Sequence, residues 1–186
     1  MMSEADLILC ELLVLRCQGG DRAAARELVA LFEKPVLYYL RRLVGSEADA
    51  WDLLQQTWIA VFGALGRMRD GRALPAFLYR TARNQALAHL RKQAADLRLY
   101  AAVEVPVECE EKDEEFSSEE AAAVHEGLER LALPQREVLT LYFLRDLGIE
   151  EIAAVLEVPA GTVKSRLHHA KKMLRIILQE GAKHVG

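Results

Sequence analysis

Histidine and cysteine are the residues best suited to catalysis or metal binding, and in this chain their spacing serves neither. The five histidines are His89, His125, His168, His169 and His184. None has a carboxylate or second ligand at a spacing that builds an acid–base pair or a metal site. His168 and His169 are adjacent, and neighbours on a helix point about 100° apart, which disfavours joint coordination. Of the three cysteines, Cys10, Cys17 and Cys109, the first two stand about two helical turns apart, roughly 10 Å of rise. That is beyond the reach of a disulfide. The reading is of reduced thiols in a cytoplasmic protein that needs no cofactor and is not an enzyme.

The chemistry the spacing does offer is basic. Between Thr162 and Arg175 the chain carries five Lys/Arg residues and no acid. Val163, Leu167, Ala170 and Leu174 recur at helical spacing and give that segment one apolar stripe. Ile149, Ile152, Ala153 and Leu156 give the segment before it another, and Val158-Pro159-Ala160-Gly161 breaks the helix between them. Two short helices joined by a tight turn make a helix-turn-helix. The second helix of such a unit can enter the major groove, with nearby Lys and Arg neutralising phosphates. Thr162, Ser165, Arg166 and His169 are expected at or near base edges. Lys164, His168, Lys171, Lys172 and Arg175 are expected mostly on phosphates.

A net charge of −4 fits a DNA binder only once it is divided along the chain. The stretch Glu104–Glu120 holds nine acids and one base, contributing −8, so the remainder sums to +4. This acidic stretch has little hydrophobic periodicity, and residues 101–116 read as a flexible linker. Ser117 to Glu120 has the spacing of a capping box that opens the next helix. The predicted fold is all-α: a helical domain over 1–100, the linker over 101–116, and a helix-turn-helix domain over 117–186. Helix-forming Ala, Leu, Glu and Arg dominate, and strand patterns are absent. Helices are expected over about 3–17, 21–44, 46–66, 74–99, 117–131, 134–145, 150–157 and 162–179. No apolar run approaches the ~18 residues of a membrane helix. The apolar start of the chain carries Glu4, Asp6 and Glu11 rather than the positive charge of a secretory signal.

Leu133-Pro134-Gln135-Arg136-Glu137-Val138-Leu139, then Ile149-Glu150-Glu151-Ile152-Ala153, then Gly161-Thr162-Val163-Lys164-Ser165-Arg166-Leu167 closely resemble the C-terminal domain of bacterial extracytoplasmic-function (ECF) sigma factors. The N-terminal half agrees. Asp49-Ala50-Trp51-Asp52-Leu53-Leu54-Gln55-Gln56-Thr57-Trp58 resembles that family's core-polymerase-binding helix, and Phe77-Leu78-Tyr79-Arg80-Thr81-Ala82-Arg83-Asn84 its promoter-melting helix.

The resemblance implies a factor that binds core RNA polymerase (β′ clamp helices and β flap) and directs initiation through promoter −10 and −35 recognition. It implies −10 contacts from Arg67, Arg69, Asp70, Arg80, Arg83, Asn84 and Arg91, with the loop Arg67–Ala73 capturing a flipped base. Polymerase contacts are expected from Asp49, Asp52, Leu53, Gln55, Gln56 and Ile59. On the residues alone, Trp51, Leu54, Trp58, Val61 and Leu65 form the buried stripe of that helix, and Leu53 and Ile59 lie on its outer face. The resemblance further implies a separate anti-sigma partner and a protein that is monomeric when free. A stand-alone helix-turn-helix regulator and a helical protein-interaction adaptor are the competing readings. Two departures concern the turn: Glu157 where the family commonly has Gly, and Gly148 where it has a Ser or Thr cap. Glu157 must then accept a left-handed backbone or the turn must change.

Overall fold

The computed structural model describes residues 3–100, 119–144 and 147–184, with side chains over 3–95, 124–143 and 147–179. The acidic stretch 101–116 and the expected cap at Ser117 lie outside the described residues. Eight α-helices follow in order: α1 Glu4–Gln18, α2 Arg22–Val44, α3 Glu47–Leu65, α4 Leu74–Tyr100, α5 Glu119–Glu129, α6 Leu133–Leu144, α7 Ile149–Leu156 and α8 Ala160–His184. A 3₁₀ turn, Gly71–Ala73, leads into α4.

The helix ends are set by local chemistry. Ser3 caps α1 in a reciprocal box with Asp6. Asp21 caps α2 by accepting from the Ala23 and Ala24 N–H groups. Gly45, at φ 73°, closes α2 in the left-handed conformation and donates to the Arg41 carbonyl. Ser46 caps α3 through the Asp49 N–H.

Helices α1 to α4 form the first unit. Their shared core includes Cys10, Leu13 and Val14 of α1, Leu28, Phe32 and Leu40 of α2, Leu54 and Val61 of α3, and Leu74, Leu78 and Ala82 of α4. Helices α5 to α8 form the second, around Leu128, Val138, Leu141, Ile152, Val155, Val163, Leu167 and Ala170. The two units are packed together, α6 on α2 and α7 on α4.

Two expectations change. Within α3 the buried stripe is Ala50, Leu53, Leu54, Thr57, Trp58, Val61 and Leu65. Leu53, expected outside, is only 3% exposed, whereas Trp51, expected inside, is 39% exposed. Leu54, Trp58, Val61 and Leu65 stay buried as expected, and the face widens toward Ala50, Leu53 and Thr57 while Trp51 falls outside it. In the second unit α8 begins at Ala160, so Gly161 lies inside the helix and the break is confined to Glu157, Val158 and Pro159. The Pro159 carbonyl receives the Thr162 and Val163 N–H groups and so supplies the first helical bonds of α8.

Candidate nucleic-acid and polymerase interfaces

The turn between α7 and α8 orients the basic helix. Glu157 sits at φ 56°, ψ 44°, the one left-handed non-glycine among the described residues. Its N–H and that of Val158 both reach the Ala153 carbonyl, which closes α7. At the other end, the Gly148 N–H donates to the Glu151 carboxylate at 2.7 Å. Glu151 thus supplies the half of a capping box that needs no side chain at Gly148.

Val163, Leu167, Ala170 and Ile177 bury one face of α8. On the other, Lys164, Ser165, His168, His169 and Lys172 are exposed, and Thr162 and Arg166 are half-buried at its edge. These residues form one surface at the N-terminal half of the helix. The His168 and His169 rings meet edge to face, 5.8 Å between centroids, and no metal-binding group occurs among the described residues. Lys171 and Arg175 are also exposed and continue the Lys164–His168 edge toward the C-terminus. The Lys171 ammonium stands 4.5 Å from the Tyr142 ring centre and 5.3 Å from that of Phe143, a cation–π contact. Both basic residues border an apolar groove of about 520 Å³ with Phe143, Leu174 and Leu178.

A second basic surface comprises the loop before α4 and one side of that helix. Arg67, Arg69 and Asp70 are exposed. The Asp70 carboxylate accepts the Arg72 N–H at 2.9 Å and starts the 3₁₀ turn. On α4, Asn84 and Arg91 are exposed and Arg80 lies over the Phe77 ring at 5.8 Å. Tyr79 is fully buried and Phe77 partly so, as core residues rather than base-stacking platforms.

Arg83 is engaged otherwise. Its Nε donates to the Glu137 carboxylate of α6 at 2.6 Å, and the Tyr39 hydroxyl donates to the same oxygen at 3.1 Å. Glu137 is 3% exposed. Burial, and next the charge of Glu137, push the Tyr39 phenol well above its usual range. Beside this triad, Arg42 donates to Glu129 at 2.6 Å and to His125 Nδ1 at 2.8 Å. Arg136 donates back to the Arg42 carbonyl at 3.1 Å. Sequence reasoning missed this contact between the two units. Its one visible sign was Glu137, a carboxylate beside the apolar Val138 and Leu139.

The third surface is the outer side of α3. Asp52, Gln55, Gln56 and Ile59 are exposed, Ile59 by 73%, and Trp51 and Phe62 join them. Phe62 stacks on Trp58 with 5.4 Å between centroids. Asp49 is half-buried toward α4, 3.4 Å from His89 Nε2 and 3.5 Å from Gln93 Nε2. His89 therefore does have a carboxylate neighbour, contrary to expectation. The contact is long, and His89 Nε2 makes no well-aligned hydrogen bond.

The family models for sigma-70 region 2 and sigma-70 region 4 match residues 28–95 and 121–174. The chain is 31% identical over 178 residues to the RNA polymerase sigma-H factor of Pseudomonas aeruginosa, covering 90% of this chain and 92% of that protein. The chain belongs to the sigma-70 family, in its extracytoplasmic-function group.

It is likewise 30% identical to the ECF RNA polymerase sigma-E factor of Haemophilus influenzae, over 94% of this chain and 98% of that one. Among solved structures, the sigma factor RpoE in complex with the anti-sigma factor NepR from Bartonella quintana has the same fold, with a TM-score of 0.73 at 22% identity. That likeness covers 83% of this chain and 96% of the other. As a sigma factor the protein directs core RNA polymerase to promoters and is a transcription initiation factor. No helix among the described residues is long and apolar enough to cross a membrane.

Proposed function

We propose that the three surfaces divide the work of promoter-specific initiation. The exposed face of α8, with Thr162, Lys164, Ser165, Arg166, His168, His169 and Lys172, reads the −35 element. The loop 67–73 and the basic side of α4 engage the −10 strand. The outer face of α3, through Asp52, Gln55, Gln56 and Ile59 with Trp51 and Phe62 added, docks on the β′ clamp helices. The groove between Phe143 and Leu178 suits the β flap, with Lys171 and Arg175 at its edge. The protein works in the cytoplasm, and a separate anti-sigma protein holds it in check, as NepR is bound to the related RpoE.

One observation carries this reading. The N-terminal half of α8 is exposed, basic and free of acids, on a helix whose opposite face is fully buried in a helix-turn-helix. A solvated helix needs charge of either sign, whereas a helix meeting phosphate needs one sign only. Run-off transcription with purified core polymerase on a promoter library tests it. Substituting Ser165, Arg166 or His169 is expected to relax base preference at single −35 positions, by about 1–3 kcal/mol each. Replacing Lys164 should weaken all promoters alike and reduce the salt slope by about 1. A −35 preference indifferent to the Ser165, Arg166 and His169 substitutions overturns the assignment of α8.

A further inference from the structure

Helix α1 lies outside both matched family regions, which begin at residues 28 and 121. It nevertheless holds the loop between α3 and α4 at three places. The Gln18 side-chain amide donates to the Leu65 carbonyl and to the Met68 carbonyl, both at 2.8 Å. Those two acceptors fix which end of the amide faces the loop, because only the NH₂ group can serve both. The Leu65 carbonyl belongs to the last turn of α3 and also accepts the Met68 N–H at 3.0 Å, so Gln18 reinforces a turn that the backbone has already closed.

Gly71 is the second place. A Cβ there would stand 2.6 Å from the Glu11 Cα, so loop backbone and helix backbone are in direct contact. The third is Arg72, which donates to Glu11 at 3.0 Å and to Glu4 at 2.9 Å. Helix α1 is itself fixed in the core by Cys10, Leu13 and Val14. Between the anchors at 65, 68, 71 and 72, the side chains of Arg67, Arg69 and Asp70 are exposed. The loop is braced from behind and free in front.

We propose that Gln18 is a positioning residue for −10 recognition, bracing the loop 66–72 so that its exposed side chains present one fixed shape to the promoter base. This rests on the reading that the loop meets the −10 element. A pocket for an unstacked base must offset the cost of unstacking, and it can do so only if its shape is settled before the base arrives. Two bonds from one amide to carbonyls on either side of the loop's first turn tie that backbone-closed turn to α1 and add to that constraint. Gln18 touches no DNA in this scheme and acts through the backbone at residues 65 and 68.

The test uses full-length protein with core polymerase on templates carrying each of the four bases at each −10 position, with a constant −35 element. The readout is the ratio of best to worst base at each position. Arg67→Ala and Arg69→Ala establish which positions the loop reads. At those positions Gln18→Leu, of similar size but without donors, is expected to lower the ratio about tenfold, the worth of one good base contact. Core affinity and −35 preference should stay at wild-type values, and the melting temperature should fall by only a few degrees, about the loss of one or two hydrogen bonds. Gln18→Lys, whose ammonium can donate to both carbonyls, should restore most of the ratio.

A ratio altered by the arginine substitutions but unchanged in Gln18→Leu overturns this inference and leaves the loop reading standing. A ratio unchanged in all three variants overturns both. A uniform fall across all bases assigns Gln18 a purely structural role and also overturns the inference.

Discussion

Glu157 shows what a single residue can cost without losing its place. It holds a left-handed backbone conformation that L side chains adopt at some steric expense, yet its side chain is exposed. The conformation is imposed from both sides, by the closure of α7 on the Ala153 carbonyl and by the start of α8 on the Pro159 carbonyl. Glu157→Gly relieves the steric cost but widens the choices of the unfolded chain, so the two effects partly cancel. The net gain expected is about 0.5 kcal/mol, a rise of roughly 2–4 °C in the melting temperature of a domain this small. Thermal unfolding would measure it, and −35 preference should not change because the backbone path stays the same. A fall in melting temperature would mean that the Glu157 side chain contributes something its exposure does not reveal. The sequence left two options at this position, a left-handed Glu157 or an altered turn, and the structure takes the first.

At the scale of the element, α3 separates what periodicity can and cannot decide. A run containing Trp51, Leu53, Leu54, Trp58, Ile59 and Phe62 has apolar residues at more angles than one face can hold. The sequence therefore shows a helix with more apolar residues than one face can bury but leaves the edge of the buried stripe ambiguous. The core resolved it by taking Ala50 and Leu53 and leaving Trp51 outside, because α2 and α4 approach α3 from that angle. Two substitutions tell the faces apart. Leu53→Ala should cost about 2–4 kcal/mol of stability through the cavity it leaves. Ile59→Ala should change stability by less than about 0.5 kcal/mol and weaken core-polymerase binding roughly tenfold, as expected for an apolar anchor in an interface. Chemical denaturation and a binding titration with core enzyme separate the two effects. The opposite pattern, with Ile59 governing stability and Leu53 binding, would show that the outer face had been assigned backwards.

For the whole molecule, the contact between the two units decides which promoter surface is available. Arg83, a candidate −10 residue, is held by Glu137 in a nearly buried pair, while the outer face of α8 stays open. The closed arrangement thus covers part of the proposed −10 surface and spares the proposed −35 surface. Beyond the placing of Glu137 among apolar residues, this was not legible in the sequence, because Arg83 and Glu137 stand 54 positions apart and nothing in either helix's periodicity names its partner. The contact is rich in polar groups, with Tyr39, Arg42, His125, Glu129 and Arg136 beside the pair. Interfaces of that composition between domains commonly open. A buried carboxylate gains little over its hydrated state, whereas removing it strands the arginine at a cost of about 3–5 kcal/mol unless the arginine reaches water. Glu137→Ala is therefore expected to open the molecule rather than unfold either unit. Small-angle scattering should show a larger radius of gyration, with helical content unchanged. Apparent affinity for a −10 single strand should rise by the inverse of the fraction open in the wild type. Arg83→Ala should open the molecule in the same way yet fail to gain −10 affinity, because it removes the DNA contact together with the latch. Equal radii of gyration for wild type and Glu137→Ala would mean that the pair does not hold the units together. A gain in −10 affinity for Arg83→Ala would remove Arg83 from the promoter surface.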